Sequence, residues 1–213
     1  SPFIMQFTES VISVCFNTSL QRYGGDIAVG AMAILTSVMQ ICMLPLQGLT
    51  QGAQPIISFN YGAGKLERVK KAFRLLLAAS MCFSTLVWAI AMFLPQAFIA
   101  IFTSDPELTS YTIWAIRIYM AASLLFGIQI ACQQTFIALG NAVTSVFLAL
   151  LRKVILLIPL IFILPLFMTN KPFGVFLAEP VADTIAVTVT GLLFLRQYRK
   201  LSVGSGYPSS AKG

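Results

Sequence analysis

The chain of 213 residues is 58% hydrophobic and only 10% charged, and its mean hydropathy is +0.87. Soluble globular domains contain about 25% charged residues, so this composition excludes that class and predicts an all-α polytopic membrane protein. The net charge of +7 comes from short basic clusters between long apolar runs, which indicates membrane orientation and not nucleic-acid binding. No motif for nucleophilic catalysis, phosphate binding or metal hydrolysis occurs, so we expect neither an enzyme nor a cofactor.

Six apolar segments are long enough to cross a bilayer core, which needs roughly 20 helical residues. In chain order, they cover residues 2–20, 27–59, 73–102, 108–139, 143–168 and 173–195. We expect them to form one six-helix transmembrane bundle over residues 1–200, and residues 201–213 are predicted to be a disordered cytoplasmic tail. Because the second segment is too long for one straight crossing, we expect a kink at Pro45 and a cytoplasmic extension near Pro55.

Glycine, proline and capping residues separate these segments. Gly24 and Gly25 form a turn before the second span, and Pro95 interrupts the third. Asp105 and Pro106 provide the start of the fourth helix.

The fifth span is interrupted by two basic residues, Arg152 and Lys153. We expect them to snorkel to the nearby membrane surface while the helix continues to Met168. Pro159 and Pro165 are expected to bend this helix.

The distribution of basic residues predicts the orientation. Only Arg22 and Lys171 fall on one side, and the other side holds Lys65, Arg68, Lys70, Lys71, Arg74, Arg152, Lys153, Arg196, Arg199, Lys200 and Lys212. The side rich in lysine and arginine faces the cytoplasm. The sequence therefore predicts a multi-pass protein of the cell membrane with both ends in the cytoplasm.

Four ionisable residues stand out at membrane depth: Glu9, Arg117, Glu179 and Asp183. At 1.5 Å per residue, Asp183, Arg117 and Glu9 all lie roughly 12–16 Å from the outer ends of their spans, so all three can meet at one depth. One interpretation is a structural ion pair between Arg117 and one acid. The other is ion coupling, because three acids against one base leave a carboxylate that needs a proton or a cation. Glu9 and Asp183 are the strongest candidates, and Glu179 could instead reach external water.

Uncharged polar residues could line a cavity. Gln6, Ser13 and Asn17 share one helix face with Glu9. The second span has its own polar row, which could line a wet cavity or bind neighbouring helices: Thr36, Gln40, Gln47, Gln51, Gln54 and Ser58. Gln129 and Gln133, one turn apart, could extend the same lining.

Several stretches resemble the multidrug and toxic compound extrusion (MATE) family. The most specific is residues 48–64, GLTQGAQPIISFNYGAG, followed by ERVKKA at 67–72. Supporting stretches are LGN at 139–141, LRK at 151–153, IPL at 158–160 and GVFLAEPVAD at 174–183.

The resemblance implies the C-terminal half of a twelve-helix, two-lobe antiporter, with the N-terminal lobe as a partner. Such a protein exports cationic or amphipathic compounds in exchange for sodium ions or protons. Glu9 matches a first-helix acid that some members use for cation coupling, which implies a candidate Na⁺ site there. The partner acid on the fourth helix falls near Ile128 or Gln129 here and is missing. Two alternatives remain: a flippase-like transporter for lipid-linked oligosaccharides, and a non-transporting remnant or membrane subunit.

Overall fold

The computed structural model describes residues 2–203, and these are helical throughout apart from short connections. The helices are α1 (Pro2–Gly62), α2 (Leu66–Phe93), α3 (Pro95–Ile99), α4 (Pro106–Tyr119), α5 (Phe126–Ala138), α6 (Ala142–Leu150), α7 (Ile158–Phe167) and α8 (Lys171–Val203). A 3₁₀ turn, Ser123–Leu125, precedes α5, and a π-helical segment, Leu151–Leu157, joins α6 to α7. The predicted tail from residue 204 onward lies outside the described residues, and residues 201–203 still belong to α8.

The 61 residues of α1 form two arms that meet at Gly25. Gly25 has φ 69° and ψ −161°, a conformation that favours glycine because a side chain would clash with the backbone. Residues 6–17 of the first arm and 29–40 of the second line one cavity. The two arms therefore run side by side in opposite directions, as a helical hairpin. The helix then continues through Pro45 and Pro55 and ends at Gly62.

Proline and capping residues set the ends of α2, α3 and α4. Leu94 has φ −130° and ψ 53°, which breaks the helix before Pro95 as predicted. The Asp105 carboxylate accepts a hydrogen bond of 2.9 Å from the backbone N–H of Glu107. This N-cap, with Pro106 at the first helical position, begins α4 where the sequence predicts it.

The predicted fourth span is bent by 46° between α4 and the 3₁₀ turn that leads into α5. Contacts with α2 accompany the break. The indole N–H of Trp88 donates to the carbonyl of Ala121 at 3.1 Å, and α5 packs so closely on α2 that a Cβ at Gly127 would lie 2.7 Å from the backbone of Ser80. These tertiary contacts are absent from the local sequence pattern, so the bend was not predicted.

Four helical stretches of the described chain are long and apolar enough to cross a membrane: α1, α2, α8, and the stretch from α6 through the π-helical segment to α7. The bent pair of α4 and α5 is a fifth candidate. The two arms of α1 contain about 90 Å of helix, and a bilayer core is about 30 Å thick, so α1 is long enough for two crossings. Large apolar side chains such as Phe59, Phe93 and Phe167 are exposed, as lipid contact would require. The chain is therefore an all-α membrane protein.

Helix α8 positions the site because it contacts α1, α4, α5, α7 and the π-helical segment. Its N-terminal part packs in an apolar cluster with both arms of α1 and with α4 and α7. Its C-terminal part packs in a second cluster with α2, α5 and α6. The polar residues described next lie beside the first cluster.

Candidate functional site

A cavity of about 550 Å³ lies between the two arms of α1. Tyr119 of α4, Lys153 of the π-helical segment and Glu179 of α8 also line it. Four residues predicted to line a substrate cavity are on its wall: Gln6, Ser13, Asn17 and Gln40. Glu9 lies on the same wall, because residues three or four apart share a helix face. The cavity is therefore polar along α1 and charged at its far side.

The other three predicted lining residues are elsewhere. Gln47 is exposed, Gln133 is half-buried and neither lines the cavity. Gln129 is 1% exposed, and both polar atoms of its amide lack a hydrogen-bond partner among the described residues. Whether any of these glutamines contacts a substrate stays a prediction.

The polar row on the second arm of α1 is divided between the two roles that the sequence left open. Thr36 and Gln40 line the cavity. Further along, the Gln54 side chain accepts a hydrogen bond of 2.6 Å from Gln134, and the Ser58 hydroxyl donates to the carbonyl of Ala138 at 3.0 Å. The row therefore faces the cavity at one end and joins α1 to α5 at the other.

Two acids of α8 share one guanidinium. Arg152 Nη2 donates to Glu179 Oε1 at 3.1 Å, and Arg152 Nε donates to Asp183 Oδ1. The side chains of Glu179 and Asp183 are only 7% and 2% exposed. The Arg152 guanidinium also lies 5.5 Å from the ring centroid of Phe126. Burial, two ion pairs and a cation–π contact therefore fix this arginine.

The neighbouring Lys153 makes a separate ion pair across the cavity wall. Its ammonium donates to Glu9 Oε1, which connects the π-helical segment to the first arm of α1. This pair is more exposed than the Arg152 pairs, since the side chains of Lys153 and Glu9 are 23% and 49% exposed. The pair also borders a second, small pocket of about 30 Å³ between α1 and α6.

The charges of this cluster do not balance. Three carboxylates, on Glu9, Glu179 and Asp183, face the two cations of Arg152 and Lys153. Asp183 Oδ2 is buried and has no hydrogen-bond partner in the described part of the chain. A buried carboxylate oxygen without a partner is costly unless it gains a proton or a cation.

The interpretation in which Arg117 forms an ion pair with one of these acids is wrong. Arg117 is exposed, and its Nε donates to the carbonyl of Met92 at 3.2 Å. The prediction compared only the depths of the residues along their helices. Arg117 instead bonds the end of α2, so equal depth does not by itself bring two residues into contact.

The expectation that Arg152 and Lys153 snorkel to the membrane surface is also wrong. Both turn inward and bond the acids of α1 and α8. Asp183 is 12 residues from the start of α8, about 18 Å along the axis, so its partner Arg152 lies within the membrane-spanning region. Three acids opposite two adjacent bases in an apolar run were the signal for this arrangement, because charges within a span find partners.

The comparison with protein families is decisive for the chain as a whole. A model of the MatE family matches residues 2–163, more than half of the chain. The chain belongs to this family. The match covers α1 to α6, the π-helical segment and part of α7, and it ends before Glu179 and Asp183.

Known relatives of this MATE-family chain are transporters by name. It is 24% identical over 193 residues to the multidrug export protein MepA of Staphylococcus saprophyticus, with coverage of 90% of this chain and 42% of the relative. It is 26% identical over 180 residues to the FAD transporter of Shewanella oneidensis, with coverage of 78% and 40%. The chain thus spans about two fifths of the length of these curated relatives.

A solved structure of the MATE multidrug transporter DinF-BH, in complex with a ligand, is similar in both sequence and fold. It is 30% identical, with a TM-score of 0.80, and the alignment covers 95% of this chain and 45% of that chain. The all-α bundle predicted from the sequence is therefore confirmed as a MATE-type fold.

Proposed function

We propose that the full-length protein exports cationic or amphipathic compounds by alternating access, in antiport with protons or sodium ions, and that this chain is its C-terminal lobe. The observation that carries the proposal is the cavity of about 550 Å³ with two carboxylates, of Glu9 and Glu179, on its wall. Pockets for drug-sized ligands have volumes of about 300–1,000 Å³. The names of the MepA relatives and of the multidrug transporter DinF-BH support a substrate of this class.

Ion coupling through Glu9 and Asp183 is supported by the excess of acid. With three carboxylates and two cations, one negative charge remains for a proton or Na⁺. A sodium ion at Glu9 would find the Ser13 hydroxyl one turn along the same cavity wall, and Na⁺ is a hard cation that takes oxygen ligands. Arg117 is not a candidate for direct coupling, because it bonds the end of α2.

The membrane placement rests on basic residues outside the cavity. After Arg152 and Lys153 are assigned to the interior, nine basic residues remain on the side predicted to be cytoplasmic, against two on the other. We therefore propose a multi-pass protein of the cell membrane with both ends of this lobe in the cytoplasm. Its main partners are the lipid bilayer and the N-terminal lobe of the same protein.

An anionic substrate is less consistent with the same cavity. A flippase for lipid-linked oligosaccharides would need a basic cavity, and here the acids outnumber the bases. The FAD transporter of Shewanella oneidensis makes FAD a useful anionic control in a substrate panel. Export of FAD without export of organic cations would favour this second class.

Efflux from proteoliposomes tests the proposal. The full-length protein should export a lipophilic cation when a proton or sodium gradient is imposed separately, and Glu9→Gln and Asp183→Asn should abolish the response. Glu107→Gln is the matched control, because Glu107 is an exposed acid at the start of α4. Wild-type rates in both variants would contradict the coupling proposal, and no efflux by the wild type would favour a non-transporting subunit.

A further inference from the structure

We propose that Lys153 is a tethered competitor for the Glu9 carboxylate. Its ammonium occupies this carboxylate until a cationic substrate or the coupling ion displaces it, and Lys153 thereby sets how tightly the cavity binds cations. The inference rests on the proposed function, since it assigns a regulatory role within the same cavity.

The two adjacent cations, Arg152 and Lys153, are held very differently. Arg152 is 15% exposed and bonds two nearly buried acids, and it also contacts an aromatic ring. Lys153 bonds one acid, Glu9, which lines the cavity and whose side chain is 49% exposed. Among the described residues, the Lys153 ammonium has this single hydrogen bond. The Lys153 pair can therefore open without disturbing the Arg152 cluster.

Exchange of the Lys153 ammonium for another cation leaves the net charge at Glu9 unchanged. Removing the cation from a partly desolvated carboxylate is unfavourable, whereas exchanging one monovalent cation for another keeps the net charge constant. Lysine presents a point charge on a flexible stem, so it can leave Glu9 by side-chain rotation alone. The ammonium of Lys153 and an organic cation are thus alternative partners of the same oxygen atoms.

After displacement from Glu9, the Lys153 ammonium remains attached to a fixed backbone beside the cavity. The ion pairs of Arg152 fix the backbone of the π-helical segment beside it. Glu179 lines the same cavity as Lys153, so the wall that the displaced ammonium faces carries a second carboxylate. A group held this close has a high effective concentration and returns to Glu9 when the competing cation leaves.

Equilibrium binding of tetraphenylphosphonium to the purified full-length protein tests the inference. Lys153→Met should lower the Kd for this cation by roughly 1.5- to fivefold, the range that follows from the strength of exposed ion pairs. Lys153→Arg keeps a competing charge and should restore weaker binding. Lys71→Met is the matched control, because Lys71 is an exposed lysine of α2, and its Kd should equal that of the wild type.

A neutral analogue and a double variant identify the cause. Binding of triphenylphosphine oxide should be equal in wild type and Lys153→Met, which also shows that the variant is folded. The Glu9→Gln/Lys153→Met variant should lose the gain in cation affinity. A gain that persists in this double variant would overturn the inference, as would an unchanged Kd in Lys153→Met.

The binding and efflux results separate the two proposals. Gradient-driven efflux by the wild type, together with an unchanged Kd in Lys153→Met, would refute the role of Lys153 and leave the proposed function intact. Tighter binding in Lys153→Met without any efflux by the wild type would refute the proposed antiport alone.

Discussion

Replacing Arg152 by methionine should destabilise the fold by about 3–5 kcal/mol, the usual cost of removing one partner from a buried ion pair. The side chains of Glu179 and Asp183, which are 7% and 2% exposed, would lose the cation that bonds them. Methionine keeps much of the arginine stem, so the loss measures charge and hydrogen bonding more than packing.

The triple variant Arg152→Met/Glu179→Gln/Asp183→Asn removes the two carboxylates as well. It should recover most of the lost stability, because a neutral buried cluster is often as stable as the ion pairs that it replaces. Lys71→Met, at an exposed lysine, should change the free energy of unfolding by less than about 0.5 kcal/mol.

Unfolding in mixed micelles with increasing sodium dodecyl sulfate provides the free energies. The thiol of Cys132, which is 3% exposed, serves as the reporter when its reaction with a maleimide is followed and the other three cysteines are alanine. A loss below about 1 kcal/mol in Arg152→Met, or an equal loss in the triple variant, would refute the buried ion-pair cluster.

Three further substitutions, each with a comparison variant, test other parts of the structure. Gly127→Ala should destabilise by about 1–3 kcal/mol in the same assay, because its Cβ would lie 2.7 Å from the backbone of α2. Gly191→Ala is the control, because a Cβ at Gly191 would have nothing within 4 Å, and it should be neutral or stabilising by up to about 1 kcal/mol. Equal changes in stability for Gly127→Ala and Gly191→Ala would contradict the close α2–α5 contact. Asp105→Ala should cost about 1 kcal/mol through loss of the N-cap of α4, whereas Asp105→Asn should cost less. Ser13→Trp should obstruct the cavity and lower cation efflux at least tenfold, while Thr18→Trp, outside the lining, should transport normally; equal rates would argue against this cavity as the route.

The parts of the fold that were predicted depend on local patterns. Hydropathy located the apolar segments, Pro95 and Asp105 marked helix ends, and a spacing of three or four residues placed Glu9 and Ser13 on one face. Each of these signals acts within one helix, so the sequence carries it directly.

The partners of the buried acids could not be predicted in the same way. Depth along a helix is one coordinate, and contact also requires that two helices turn the right faces towards each other. Arg117 satisfied the depth condition but faces α2, whereas Arg152, assigned to the membrane surface, faces α8. The bend after α4 was missed for a related reason, since it accompanies contacts of Trp88 and Gly127 with other helices.

Competition between cations tests most directly whether the cavity couples transport to an ion gradient through Glu9. The Kd of tetraphenylphosphonium for the full-length protein should be measured while the proton and sodium concentrations are varied separately over a hundredfold range. Antiport predicts that the Kd rises in proportion to one of these ions in the wild type and is independent of it in Glu9→Gln. A wild-type Kd that is constant across both series would contradict coupling by competition at this carboxylate.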